Sequence, residues 1–104
     1  MALRVRVCRL ADVADGELRA FAVAGVTWPV IVTRVDGALV AVPGVCPHED
    51  VALWDGELAG HAIICPGHGY AFDVHTGRCQ AAPGLELRRY AITVAGDDVW
   101  VDLL

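Results

Sequence analysis

The chain has 104 residues, 56% of them hydrophobic, with eight arginines, no lysine and thirteen acidic side chains. This length has room for one domain, and the apolar fraction is sufficient for a core without disulfide bonds, so we expect a single domain over residues 1–104. The net charge of −5 disfavours nucleic acid or an anionic membrane surface as the main partner.

The N-terminal residues alternate arginine with apolar side chains and lack the apolar centre of a signal peptide. No apolar run reaches the roughly 18 residues that a membrane-spanning helix needs. We therefore expect no membrane association and a cytoplasmic location. In that reducing compartment, grouped cysteines bind a metal more often than they form disulfides.

The first part of the chain shows patterns that are typical of β-strands: residues 4–10 alternate polar and apolar side chains, and residues 18–23 and 30–35 are short apolar or β-branched runs. Strands are predicted over 4–10, 18–23 and 30–35, with one short helical turn at 11–17. Asp36-Gly37 then predicts a tight hairpin between 30–35 and a strand at 38–42.

The central part, residues 43–84, is rich in glycine, proline, histidine and cysteine. Strands are predicted there over 61–64 and 70–73. Further on, strands at 90–94 and 99–103 flank residues 95–98 and predict a C-terminal hairpin. The predominance of period-two patterns predicts an all-β fold.

Two short motifs in the central part each combine a cysteine with a histidine. They read C-P-H at Cys46 to His48 and C-P-G-H at Cys65 to His68, with sixteen residues between His48 and Cys65. Two thiolates and two imidazoles suit either one tetrahedral metal ion or a binuclear cluster with two protein ligands at each iron. Zinc fingers usually group like ligands together, whereas mixed loops allow one iron to be all-Cys and the other all-His.

These motifs resemble the signature of the Rieske iron–sulfur family, and the flanking sequence extends the resemblance over nearly the whole chain. Residues 69–73 and 76–78 resemble the strand and turn after the second ligand loop, and 82–84 resembles the proline-containing third loop. The resemblance implies an antiparallel β-sandwich with a small cluster-binding subdomain, about residues 43–84, and one 2Fe-2S cluster. It assigns Cys46 and Cys65 to the inner iron, and His48 and His68 to the outer iron through Nδ1.

High-potential members of the family add a serine hydroxyl, a tyrosine hydroxyl and a disulfide close to the cluster. At the two hydroxyl positions this sequence has Tyr70 and Phe72, and at the disulfide positions it has Val51 and Gly67. Because hydrogen bonds to the sulfurs raise the potential, we predict a low potential, toward the roughly −150 mV end of the Rieske range.

A 2Fe-2S cluster stores and passes on one electron, so the chain is predicted to be an electron-transfer component and not itself an enzyme. Rieske oxygenases add a mononuclear iron site in a domain larger than this whole chain. The resemblance implies a monomeric ferredoxin between a flavin-dependent ferredoxin reductase and a terminal oxygenase, either a ring-hydroxylating dioxygenase or a diiron monooxygenase. Two alternatives stay open: the Rieske-like small subunit of an assimilatory nitrite reductase, and a structural zinc-binding interaction module.

Several residues outside the motifs could be mistaken for functional ones. Cys8 and Cys79 are predicted to be small buried hydrophobic side chains, and His61 and His75 to lie on the surface. Trp28, Trp54 and Trp100 are predicted to pack in the core, with docking to a partner as the alternative role for Trp54.

Acidic side chains cluster in the part of the chain that contains the motifs. No basic residue lies between Arg34 and Arg78, whereas six acidic residues do: Asp36, Glu49, Asp50, Asp55, Glu57 and Asp73. This stretch is either a solvated acidic surface or a docking rim for a basic partner.

Overall fold

The computed structural model describes residues 3–47, 50–67, 69–79 and 81–103, and within them the fold is all-β, as predicted. Three antiparallel sheets have the strand orders β1-β9-β8, β2-β3-β4 and β5-β6-β7. The strands are β1 (Arg4–Arg9), β2 (Leu18–Phe21), β3 (Val30–Val35), β4 (Ala38–Pro43), β5 (Glu57–Ala59), β6 (Ala62–Ile64), β7 (Ala71–Asp73), β8 (Ala91–Ala95) and β9 (Asp98–Asp102). The described residues contain no helix that could cross a membrane.

Strand β3 is buried on both faces and joins the two cores of the molecule. Val30 and Val32 pack in one core with residues of β1 and β9, whereas Ile31 and Val35 pack in the other, against the β5-β6-β7 sheet. Because alternate side chains of a strand point to opposite faces, a strand between two cores is apolar almost throughout. This explains why residues 30–35 form a short apolar or β-branched run that is interrupted only by Arg34.

The hairpin predicted at Asp36-Gly37 is present. Both residues have positive φ, 52° and 79° respectively, as a two-residue hairpin turn of this hand requires. The Gly37 N–H donates to Asp15 Oδ1 at 2.8 Å, which anchors the turn to the segment before β2.

Strand β5 was not predicted from the sequence, although β6 and β7 were. It is a three-residue edge strand of alternating exposed and half-buried residues that pairs with β6 alone in its sheet. Ile63 of β6 and Phe72 of β7 are fully buried and attach this small sheet to β3 and β4.

Three other expectations are corrected by the structure. The helical turn predicted at 11–17 is a single 3-10 turn over Leu10–Asp12. Trp28 precedes β3 and is half buried, and Trp100 is half buried because its neighbours Val99 and Val101 face the core. Neither tryptophan is therefore a core residue.

The strands have two ends in common, which we call the ligand-loop end and the hairpin end. The two ligand loops follow Pro43 of β4 and Ile64 of β6, whereas the Asp36-Gly37 turn lies at the opposite end of β3 and β4. A six-residue strand separates these ends by about 17 Å. His61, in the turn before β6, has Nε2 at 2.7 Å from Asp36 Oδ2 and so belongs to the hairpin end.

Candidate metal centre

The first ligand loop is closed by backbone hydrogen bonds at its base. The Cys46 N–H donates to the Val51 carbonyl oxygen at 3.0 Å, and Val45 and Ala52 form an antiparallel bridge. Pro47 and Asp50 within the loop are exposed. The cysteine therefore lies at the buried base of the loop.

Gly44 ties this loop to the rest of the fold. Its N–H donates to the Pro29 carbonyl oxygen, and its own carbonyl accepts from the Leu53 N–H, both at 2.8 Å. A Cβ at position 44 would lie 2.5 Å from the Pro29 carbonyl oxygen and 3.1 Å from ring carbons of Trp54. A side chain at this position would have to displace the loop.

The second ligand loop has the same construction. The Cys65 N–H donates to the Tyr70 carbonyl oxygen at 2.8 Å, five residues on, as Cys46 does to Val51. The Gly69 N–H also donates to the Cys65 carbonyl, and Gly69 adopts a φ of 71°. The two loops are thus matched, each with its cysteine at the base.

Cys46 and Cys65 lie in the same hydrophobic core, 2% and 0% exposed. All four cysteines lie in the described part of the chain, and none of them forms a disulfide. Two buried thiols in a shared apolar core, on two matched loops, fit the thiolate side of an iron–sulfur cluster.

His48 and His68, the predicted imidazole ligands, lie outside the described residues. Among the described residues, no group of three or more His, Cys, Asp or Glu side chains could hold a metal ion. The described neighbours Pro47, Gly67 and Gly69 are exposed. The assignment of the two histidines therefore stays a prediction.

A third loop packs beside the ligand loops. Ala82 and Leu85 contact the core that contains both ligand-loop cysteines, and the Leu85 N–H donates to the Ala82 carbonyl at 2.8 Å. Pro83 between them is exposed. This contact supports the prediction, which stays untested, that residues 82–84 form the proline-containing third loop.

The two cysteines outside the motifs are buried, as predicted. Cys8 lies in the core between β1, β3 and β9, and burial raises the pKa of its thiol, as does the nearby Asp12 carboxylate. Cys79 is 2% exposed in the same core as Cys46 and Cys65.

His61 and His75 are exposed at the hairpin end, as predicted for surface histidines. Their ring centroids lie 4.9 Å apart in an edge-on arrangement. The length of β6 separates His61 from Cys65, so neither ring belongs to the ligand loops.

Trp54 packs against the core beside the first ligand loop, as predicted, and remains partly exposed. Its ring lies over Gly44, and its centroid is 5.9 Å from that of Trp28. Sequence reasoning did not identify the supporting roles of Gly44 and Trp28, because their contacts join segments that are distant in the chain.

The acidic stretch divides between the two ends of the molecule. Asp36 lies in the hairpin turn, and Asp73 Oδ1 accepts the N–H groups of His75 and Thr76, which shapes a turn at the same end. Exposed Asp50, Asp55 and Glu57 instead accompany the ligand loops, and Glu49 lies outside the described residues. The acidic residues beside the ligand loops are therefore fewer than the six of the sequence stretch.

Comparison with known proteins defines the class. The family model of the Rieske [2Fe-2S] domain matches residues 4–91. The chain therefore belongs to the Rieske [2Fe-2S] family, whose cofactor is one 2Fe-2S cluster, and this assignment disfavours the zinc-binding alternative.

Individual relatives narrow the class further. The ferredoxin component of biphenyl 2,3-dioxygenase from Rhodococcus jostii (strain RHA1) is 36% identical over 99 residues, which cover 94% of this chain and 91% of that protein. The structure of the Sphingomonas yanoikuyae B1 ferredoxin has a TM-score of 0.85 and 32% identity, covering 98% and 100% of the two chains. A chain from a complex of reduced oxygenase and oxidised ferredoxin in carbazole 1,9a-dioxygenase has a TM-score of 0.83 and 32% identity, covering 95% and 92%. This protein is thus a Rieske-type ferredoxin, an electron-transfer component of an oxygenase system.

The same fold also occurs in a nitrite reductase small subunit. A putative NADH-dependent nitrite reductase small subunit from Mycobacterium tuberculosis has a TM-score of 0.83 at 18% identity, covering 100% and 97% of the two chains. At that identity the likeness concerns the fold alone.

Proposed function

We propose that this ferredoxin carries single electrons from a flavin-dependent reductase to a terminal oxygenase, with Cys46, His48, Cys65 and His68 as the cluster ligands. The observation that carries the proposal is the pair of matched loops that bring Cys46 and Cys65 into one core at one end of the molecule. When bound, the cluster stores one electron.

The position of the loops supports the division of ligands between the two irons. Both cysteines are buried, whereas described neighbours of the two histidines in the sequence, such as Pro47 and Gly67, are exposed. An inner iron bound by Cys46 and Cys65 and an outer iron bound by the histidines would place the outer iron at the surface. Electrons would enter and leave by that edge.

The choice of partner rests on the relatives. One solved structure that resembles this chain is a complex of an oxygenase with its ferredoxin, and the biphenyl dioxygenase ferredoxin is similar over nearly the whole length. We propose a ring-hydroxylating dioxygenase as the electron acceptor, with a diiron monooxygenase as the other outcome.

We also propose a low reduction potential, toward the roughly −150 mV end of the Rieske range. Phe72 is fully buried and has no hydroxyl to donate to a sulfur, and Val51 packs against the core where a disulfide cysteine would stand. Fewer hydrogen bonds and no disulfide leave the added electron less stabilised.

The proposal further includes a cytoplasmic monomer with one domain over residues 1–104 and a cluster-binding subdomain at about 43–84. The radius of gyration of 12.8 Å is that of one compact domain of this length, about 13 Å for 100 residues. Among the described residues, Leu3 and Val94 are the exposed large hydrophobic side chains, which favours a monomer. Four cysteines without a disulfide suit a reducing compartment.

The proposal is tested by voltammetry followed by a single-turnover reaction. We expect a midpoint near the low end of the Rieske range, and then transfer of one electron per chain from the dithionite-reduced protein to the terminal oxygenase of a ring-hydroxylating dioxygenase. A strongly positive midpoint would refute the low potential.

Two other results would change the proposed role. Normal reduction of the protein without electron transfer to a dioxygenase or a diiron monooxygenase would refute the carrier role. Stable copurification with a large sirohaem protein would favour the nitrite reductase subunit.

A further inference from the structure

We infer that electron-transfer partners dock on one side of the ligand-loop end, on an acidic flank formed by Asp50, Asp55 and Glu57, and that the partner presents a basic rim around its own redox group. This inference rests on the proposed function, because it concerns the surface through which the electron passes.

The acidic flank lies across the bases of both ligand loops. The Leu53 N–H donates to the Gly44 carbonyl at the base of the first loop, and a Cβ at Gly56 would strike the Ile64 carbonyl oxygen beside Cys65. Residues 53–57 therefore run from one loop base to the other, which places Asp55 and Glu57 next to both loops.

Pairing within the sheet and within the loop fixes the other positions. Glu57 is the first residue of β5 and pairs with Ile64, the residue before Cys65. Asp50 lies inside the first ligand loop, directly before Val51, whose carbonyl accepts from the Cys46 N–H. All three acidic side chains are exposed, and within the described part of the chain none of them forms an ion pair.

The net charge of the molecule is concentrated at these loops. Residues 43–84 contain five acidic side chains and one arginine, Arg78, whereas the rest of the chain contains eight acidic side chains and seven arginines. Arg78 follows β7 and lines the surface with Gly69, Ala81 and Pro83, so it lies at the β7 edge of the small sheet, whereas Glu57 lies at the β5 edge. A negative field of this kind increases the rate of encounter with a basic surface.

The opposite side of the ligand-loop end is mostly small or apolar, and its exposed residues include Pro66, Gly67, Gly69, Ala81, Pro83 and Gly84. Arg78 lies beside them together with Asp73 and Glu86, so a positive charge offsets the acidic side chains on this side. Because the acidic flank attracts a basic surface to one side of the ligand-loop end, it would orient the partner as well as draw it closer.

Two tryptophans adjoin the flank and extend it with apolar surface. Trp54 directly precedes Asp55, and the Trp28 ring lies against the Trp54 ring. Both tryptophans are partly exposed. Tryptophan is enriched among the residues that dominate binding at interfaces. A partner with a basic rim and an apolar contact would fit this surface.

The test uses cytochrome c, a basic haem protein, as the electron acceptor. The protein is reduced by dithionite, and one electron then passes from its cluster to the ferric haem, which becomes ferrous. The rate is compared between the triple variant Asp50→Asn, Asp55→Asn, Glu57→Gln and the matched control Asp15→Asn, Asp36→Asn, Asp97→Asn. The control removes three exposed acidic side chains near the hairpin end, and its asparagine at position 15 can still accept the Gly37 N–H.

We expect the flank variant to react about tenfold more slowly at low ionic strength, the lower end of the steering effect, and the control to change less than about twofold. The difference should disappear at about 1 M salt, where the Debye length is about 3 Å. With ferricyanide, an anion, the flank variant should react at least as fast as the unmodified protein, which shows that its cluster is intact.

The outcomes separate this inference from the proposed function. A protein that accepts the electron but whose cytochrome c rate responds equally to both triple variants overturns the docking inference alone. A protein that takes up no electron from dithionite overturns the proposed function and the docking inference with it.

Discussion

The four cysteines of this chain have the same chemistry but different positions, and position decides which of them can be ligands. Cys46 and Cys65 lie at the bases of matched loops, whereas Cys8 lies in the other core and Cys79 lies beyond β7. The motif spacing predicts the first pair as the ligands. Burial alone could not have done so, because all four are buried.

Substitution should therefore separate the cysteines into two classes. We predict that Cys46→Ser or Cys65→Ser removes nearly all of the iron, because a hydroxyl replaces a soft thiolate ligand. Cys8→Ala or Cys79→Ala should keep the full iron content and lower the free energy of unfolding by about 1 kcal/mol, as expected for a small cavity. Iron analysis and urea unfolding measure the two effects.

Cys79 is the more demanding control, because it shares a core with both proposed ligands. If Cys79→Ala lost as much iron as Cys65→Ser, the ligand assignment would be wrong.

At the scale of elements, the two ligand loops are held by close backbone contacts that the sequence does not reveal. A Cβ at Gly56 would collide with the Ile64 carbonyl oxygen, so β5 and β6 can approach this closely because position 56 is glycine. Gly84, in the third loop, has nothing within 4 Å of the corresponding position.

These two glycines form a matched pair of substitutions. We predict that Gly56→Ala destabilises the protein by about 1–3 kcal/mol, the usual cost of inserting a methyl group into a packed site, and reduces cluster incorporation. Gly84→Ala should be neutral or slightly stabilising, because its backbone needs no positive φ. Thermal unfolding of the two variants, with visible absorbance of the cluster, gives the comparison, and equal effects would contradict it.

Most of the strands could be predicted from local patterns, but their arrangement into sheets could not. The hairpin at Asp36-Gly37 was predicted because its turn chemistry is local. The pairing of β1 with β9 joins the two ends of the chain, and β5 lacks the β-branched residues that mark a strand. The β1–β9 pairing and the formation of β5 both depend on tertiary packing.

At the scale of the whole molecule, the fold separates charge as well as chemistry. Most of the net negative charge belongs to residues 43–84. Among these residues, Asp73 belongs to the hairpin end, where its carboxylate accepts the His75 N–H, while Asp50, Asp55 and Glu57 accompany the loops. The sequence predicted an acidic stretch, but its division required the strand pairing. With the proposed ligands, a carrier of this kind would present one charged, redox-active end to its partners.

The central claim is that one 2Fe-2S cluster, bound by Cys46, Cys65, His48 and His68, carries a single electron. Its most direct test is hyperfine spectroscopy on the reduced protein labelled with ¹⁵N-histidine. We predict one unpaired electron per chain, coupled to two imidazole nitrogens, and an unchanged spectrum in the surface variants His61→Ala and His75→Ala. A reduced cluster without nitrogen coupling, or a coupling lost on substitution of His61 or His75, would contradict the account.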